Sequence, residues 1–247
     1  MLRLIIDLDP IDPSLGLALE EALLESTRHG HDDTLRMWVN HRSVIVGRSQ
    51  SVASEVDLEQ LRSLAIPVVR RISGGGAVYH YPGNLNVSLF MKDGGALGTA
   101  SEAYAAIGRA VVDVLSEYDI DAHVKGNIII VGEKKIAGAA QVRRGRNLLY
   151  HMSLLVSPSQ IPIDNLLLAM HGAYEPVLVA SHPRPVTSLS QVSSSLGMQN
   201  LIEIISRSLA DLLREDLEQS TYTREEMKHA GRLRATKYGS EEWNLSR

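Results

Sequence analysis

The chain contains no cysteine, a single phenylalanine and only 4% aromatic residues. It also lacks any apolar run approaching the roughly 20 residues that a membrane helix requires. Without cysteine there are no disulfides, no thiolate metal ligands and no mechanism through a cysteine nucleophile. Asp7 and Asp9 interrupt the apolar start of the chain, so no signal-peptide core forms and a cytoplasmic location is expected. Cationic excess is missing as well: 25 Lys and Arg stand against 29 Asp and Glu, for a net charge of −4. That balance supplies no broad field for nucleic acid or an anionic membrane, and neither is expected as a partner. The nine histidines include no H-E-x-x-H pattern, so metal ligands are unassigned.

What is present is ordinary globular material. The 247 residues are 44% hydrophobic and 22% charged, enough to bury one substantial core, and a single domain over 1–247 is expected. Residues 2–8 read as a strand, followed by a Pro-rich turn, with Ser14 as N-cap of the amphipathic helix LGLALEEALLESTR. LRMWV and SVIVG flank a turn-like NHR and read as a hairpin, with SEVDLEQLRSLA as a helix after it. IPVVRRI, NLNVSLFM, NIIIVG, EKKIAGAAQVRR and NLLYHMSLLVS follow as strands, with the helix SEAYAAIGRAVVDVLSEY among them. IDNLLLAM, LIEIISRSLADLLRE and the terminal run that contains Trp243 carry helical periodicity. Hairpins mixed with helices predict an α+β fold, a mixed β-sheet flanked by helices, rather than a doubly wound βαβ array.

Two stretches carry chemistry. The first, Arg70 to His80, sets two arginines and the glycines Gly74, Gly75 and Gly76 between predicted strands. Glycine lets a ligand approach backbone amides closely, and arginine adds charge-assisted hydrogen bonds to an anion, so the pair suits phosphate binding better than a merely flexible connection. The loop fits neither the P-loop nor the dinucleotide template. The second stretch, Gly132 to Ala140, places Lys134 and Lys135 before a strip of small residues. Paired lysines usually mark a solvated face, but a lysine entering a Gly/Ala-lined surface reaches a buried anion and opposes charge gathering on an attacked phosphate.

RRISGGGAVYHYPGNLNVS resembles the lipoate-binding loop of lipoate-protein ligases, and EKKIAGAA resembles that family's lysine motif. The segment LRMWVNHRSVIVGRSQ, with Arg36, Gly47 and Gln50, is similar to its early hairpin, and Arg184 to Leu189 to its R-x-V-T-x-L stretch. The resemblance runs from about residue 2 to residue 190, with an echo in KYGSEEWN, and implies the fold of biotin/lipoate-protein ligase catalytic domains. It implies Lys135 as the catalytic residue. Around ATP or lipoyl-AMP it implies Arg71, Ser73, Gly74, Gly75, Gly76, Ala77, Val78, Tyr79, Asn84, Asn127, Gly138 and Ala139. For the lipoate pocket it implies Gly47, His80, Ala140 and His151, the last also readable as a satisfied strand histidine. Tyr81 and Ile128 stand where the family carries acids.

What the resemblance implies in function is an adenylate-forming ligase with ATP and Mg2+ that turns lipoate into lipoyl-AMP and acylates a lysine of a carrier domain. The carrier could be a glycine cleavage H protein, a 2-oxoacid dehydrogenase acyltransferase subunit or a specialised lipoate-binding protein. The chain stops shortly after KYGSEEWN, so a separate small accessory protein is expected. A non-catalytic binder of lipoate or a lipoylated carrier is the competing reading. The related octanoyltransferases pass the acyl group through a cysteine that this chain lacks, and biotin ligases resemble a G-R-G-R-x-x-R loop that it also lacks.

Overall fold

The computed structural model describes residues 1–171, 174–193 and 196–246. Its centre is an eight-stranded mixed sheet in the order β11-β1-β2-β6-β10-β9-β8-β7, and beside it lies a three-stranded sheet in the order β4-β3-β5. The strands are β1 (Leu2–Ile11), β2 (Thr34–Asn40), β3 (Ser43–Val46), β4 (Val68–Arg70), β5 (Val78–His80) and β6 (Asn84–Met91), then β7 (Ala122–Lys125), β8 (Ile128–Val131), β9 (Lys134–Arg144), β10 (Asn147–Leu155) and β11 (Leu217–Gln219). β1 runs parallel to β2 and β11, and the remaining pairs of the large sheet are antiparallel.

The helices are α1 (Pro13–Arg28), α2 (Val52–Glu55), α3 (Leu58–Ser63), α4 (Ala100–Ser116), α5 (Leu189–Val192), α6 (Met198–Leu213), α7 (Arg224–Leu233) and α8 (Glu241–Asn244), with a π-helical turn at Arg234–Tyr238. One sheet face packs on α4 and α6 through Leu35, Val87, Tyr150, Ile107, Val111, Ile205 and Leu209. The other face packs on α1 through Ile5, Trp38, Phe90 and Leu149 against Leu19 and Leu23. Burying two such layers of apolar side chains is the main term holding the fold together. Among the described residues no helix is long and apolar enough to cross a membrane.

Several local expectations are corrected. Asp12, not Ser14, caps α1, because its side chain accepts from Leu15 N at 2.9 Å and Pro13 then takes the first helical position. β2 and β3 form no hairpin: β2 is buried along its length between β1 and β6, both of its edges are taken, and the chain turns at His41 and Arg42 into the smaller sheet. SEVDLEQLRSLA splits into α2 and α3, since Val56 bridges to Leu167 and Asp57 begins a new cap on Gln60 N. IDNLLLAM makes only two short 3-10 turns, Ile163–Asn165 and Leu168–Met170. Strands β5, β7 and β11, of three or four residues each, are too short for period-two alternation to stand out.

Candidate functional site

A cleft opens where the glycine loop between β4 and β5 overhangs the α1-facing side of the large sheet. Its floor follows from register. Trp38, Asn86, Ser153 and Gly138 are paired in one row across β2, β6, β10 and β9, and Arg36, Ser88, His151 and Ala140 form the next row. Because side chains alternate along a strand, residues two apart share this face, so Asn84 joins the floor too. Gly75, Gly76, Ala77, Val78 and Tyr79 line the opposite wall, Asn127 and Ile128 one edge, and Ser181 to Arg184 with Val186 the rim.

Lys135 enters this cleft through a β-bulge. The pairing of β8 with β9 slips between Ile129 and Ile130, so Ile136 is an extra residue in β9. In unbroken alternation Lys135 would share the core face of Ala137 and Ala139; the bulge moves it to the face of Gly138 and Ala140. Its backbone is fixed from the other side, where Lys135 N donates to Pro185 O at 2.8 Å and Thr187 N donates to Lys135 O at 3.0 Å. The side chain lies over Gly138 so closely that a Cβ there would meet Nζ at 2.5 Å. Burial, with the positive charge of Arg71 nearby, pulls the ammonium down to about 8. No described residue hydrogen-bonds or ion-pairs with that ammonium.

Arg71 organises the loop rather than projecting from it. Its Nε donates to Ser73 Oγ (3.0 Å), Nη1 to Ile45 O (3.2 Å), and Nη2 to Gly74 O (2.6 Å) and Gly76 O (2.9 Å). With these carbonyls turned toward the guanidinium, the loop has a fixed course, and burial lowers Arg71 to about 10. Gly47 supports the same loop, since a Cβ there would fall 2.1 Å from Gly75 O. Arg70 ties the loop base to the chain end: its Nε donates to Trp243 O, its backbone N to Asn244 Oδ1, and Trp243 Nε1 donates to Arg70 O at 2.8 Å.

Through the floor to the loop runs a chain of hydrogen bonds. Ser73 Oγ lies 2.6 Å from His151 Nε2, His151 Nδ1 lies 2.9 Å from Glu20 Oε1, Ser88 Oγ donates to Glu20 Oε1 at 2.6 Å, and Trp38 Nε1 donates to Ser88 Oγ. Burial penalises the Glu20 charge, yet His151 and Ser88 hold its carboxyl below the ordinary value. Ser73 is fully buried and its oxygen is shared by Arg71 and His151. The Ser–His–Glu order therefore braces the loop against α1 rather than presenting a nucleophile.

The rim segment is latched to the loop. Ser181 Oγ accepts from Ala77 N (2.9 Å) and Gln50 Nε2 (3.0 Å) and donates to Glu55 Oε2 (2.5 Å), and Tyr174 hydroxyl donates to the other Glu55 oxygen.

The sequence profile of the lipoyl protein ligase A/B catalytic domain matches residues 12–210. The chain belongs to that family. A Thermoplasma acidophilum protein named lipoate-protein ligase A subunit 1 is 29% identical over 98% of this chain and 96% of its own length. An Aeropyrum pernix protein carrying the lipoate-protein ligase A name is 43% identical over 60% of this chain and 56% of its own length. A Thermoplasma acidophilum structure with bound lipoic acid superposes with a TM-score of 0.83 at 29% identity, covering 99% of this chain and 98% of that one. A lipoate-protein ligase A structure bound with ATP gives 0.81 at 30% identity, covering 98% of each.

Within this ligase fold the structure distributes the sequence-derived site residues unevenly. Arg71, Gly75, Gly76, Ala77, Val78, Tyr79, His80, Asn84, Asn127, Lys135, Gly138, Ala139, Ala140 and His151 line the cleft. Ser73, Gly74 and Gly47 do not; they stand behind or beside the loop and shape it. Arg71 lines the cleft, and its nitrogens also donate to the loop carbonyls. His80 is held neutral, at about 3, by burial, and its Nδ1 meets Asn40 Nδ2. Sequence reasoning missed Glu20, Asn86, Ser153 and Ser181 at the cleft; the only signal for the first three was their place one face away from core residues.

Magnesium needs a set of oxygen donors. Among the described residues no group of three His, Asp or Glu could hold a metal. Tyr81 hydroxyl donates to Ser157 O, and Ile128 is apolar, so neither position supplies a ligand. The described residues offer no cage for the ion.

Proposed function

We propose that this chain is a ligase that activates lipoate with ATP and transfers the lipoyl group to a lysine of a carrier protein. The observation that carries this reading is the Lys135 ammonium, half-buried in the cleft that the Gly75 and Gly76 backbone also lines, with no anionic partner of its own among the described residues. A partly desolvated cation without a counter-ion favours an anionic ligand, and the adjoining glycine loop has the backbone to receive phosphate oxygens.

A free carboxylate resists nucleophiles and has a poor leaving group. In the first step its oxygen attacks the α-phosphorus of ATP, the bond to the β-phosphate oxygen breaks, and pyrophosphate departs. Lys135 opposes the negative charge that accumulates on the α-phosphate, and the latched loop holds the two reactants in line. In the second step the deprotonated ε-amine of the carrier lysine attacks the acyl carbon, the C–O bond to AMP breaks, and AMP leaves with its electron pair. No enzyme group is acylated, in keeping with a chain that has no cysteine.

Leu17, Trp38 and Ile45, all nearly inaccessible, line the cleft and suit the lipoyl tail. The relative named as a subunit 1, and a bi-partite ligase studied with its E2 lipoyl domain (TM-score 0.83, 28% identity, 99% of this chain and 95% of that one), support a lipoyl-domain carrier and a separate accessory protein.

The test is to mix the protein with ATP, magnesium, lipoate and a lipoyl domain, with and without an accessory subunit, and weigh the domain. Lipoyl mass added only in the presence of ATP supports the reading. Lipoate binding without pyrophosphate release would instead mark a binder.

A further inference from the structure

Asn86 is only 3% exposed and lines the cleft, yet its amide makes no hydrogen bond to any described residue. Buried amides are almost always paired, and leaving one unpaired is costly, so this group awaits a ligand atom. Asn84 Oδ1 and the Tyr79 hydroxyl in the same cleft are also without a partner, but the neighbouring N–H donors are taken. Asn84 Nδ2 donates to Ser153 Oγ at 3.0 Å, and Trp38 Nε1 is taken by Ser88.

Position along the floor says which part of a ligand it meets. Trp38, Asn86, Ser153 and Gly138 form one row, and the Lys135 ammonium crosses Gly138 at the far end. With strands spaced about 4.8 Å apart, Asn86 lies two strands, or roughly 10 Å, from the Gly138 end. If the carboxyl end sits at Lys135, as the ligase reading above requires, a medium-length acyl chain running toward Trp38 brings its far end to Asn86.

We propose that Asn86 sets the acyl specificity of this ligase, favouring a chain that ends in a sulfur-bearing ring over a saturated alkyl chain of the same length. A dithiolane sulfur is a weak, polarisable acceptor that the amide N–H can meet. A methylene or methyl group gives it nothing and shuts out the water that would otherwise satisfy it. Selectivity arises as the penalty on the alkyl tail, the asymmetry by which sites built around a polar group reject a ligand that cannot pair with it.

The experiment measures pyrophosphate release with lipoate and with octanoate, for the wild-type protein and Asn86→Leu, with thermal melts of both. The wild type is expected to favour lipoate in kcat/KM on the order of tenfold, and Asn86→Leu to erase most of that ratio mainly by gaining on octanoate. An equal preference in the wild type would overturn the proposal whether or not the variant folds. So would a folded Asn86→Leu protein that keeps the wild-type ratio. Failure to release pyrophosphate with either acid would instead sink the ligase reading itself, and the proposal with it.

Discussion

Lys135 and Gly138 occupy one another's space: the ammonium nitrogen lies 2.5 Å from where a Cβ on Gly138 would stand. The side chain reaches the cleft only because the residue three positions on has none. Gly138→Ala should therefore displace the ammonium while leaving the strand paired. Adenylate formation is expected to fall by about a hundredfold, with the melting temperature nearly unchanged, because displacement of a charge by an ångström is enough for such a loss. Lipoyl-AMP formation within a factor of two of wild type would contradict this placement.

Titration of Lys135 gives a second prediction. Burial and Arg71 hold it at about 8 in the free protein, below its ordinary 10.5. Catalytic efficiency toward ATP should therefore decline above about pH 8, whereas kcat should persist to higher pH because bound phosphate raises the ammonium again. Stability runs the other way. Between about 8 and 10.5 the unfolded chain holds more protons than the folded one, so this group's contribution to stability rises with pH across that window. Lys135→Met should abolish both the limb in the pH profile and that rise, as pH-dependent kinetics and melts would record.

The Ser73–His151–Glu20 chain braces the loop from behind. Glu20→Leu leaves His151 and Ser88 without their shared acceptor and is expected to destabilise the fold by about 1–3 kcal/mol. Because Ser73 is not a nucleophile here, Ser73→Ala should still form lipoyl-AMP, with a raised KM for ATP. Complete loss of activity in a folded Ser73→Ala protein would contradict a bracing role for Ser73.

Ser181 latches the rim to the loop and to Glu55. Ser181→Ala should raise the KM for ATP severalfold and cost about 1–2 kcal/mol, since Ala77 N and Gln50 lose their acceptor. A denaturation curve and substrate titrations check the two effects separately.

The glycine loop and the lysine were legible in the sequence because their composition is unusual and because function demands it locally. The mixed sheet was legible from alternation. Other features depend on contacts between distant segments. β2 and SVIVG part company because β6, forty-odd positions on, takes the free edge of β2 (Trp38 pairs with Asn86). That Arg71 also holds the loop carbonyls was not legible, because they come from a loop course no local pattern encodes. KYGSEEWN read as an echo without a role, and it is the clamp that holds Arg70 at the root of that loop. The bulge at Ile136, which aims Lys135, is invisible to any periodicity.

The role of Lys135 is most directly tested by quantifying lipoyl-AMP by mass spectrometry after mixing ATP, magnesium, lipoate and the accessory subunit with the wild-type protein or Lys135→Ala. Lipoyl-AMP is expected from the wild type, with a loss of about a hundredfold or more in the variant and both proteins equally folded. Equal amounts of lipoyl-AMP from the two would contradict it.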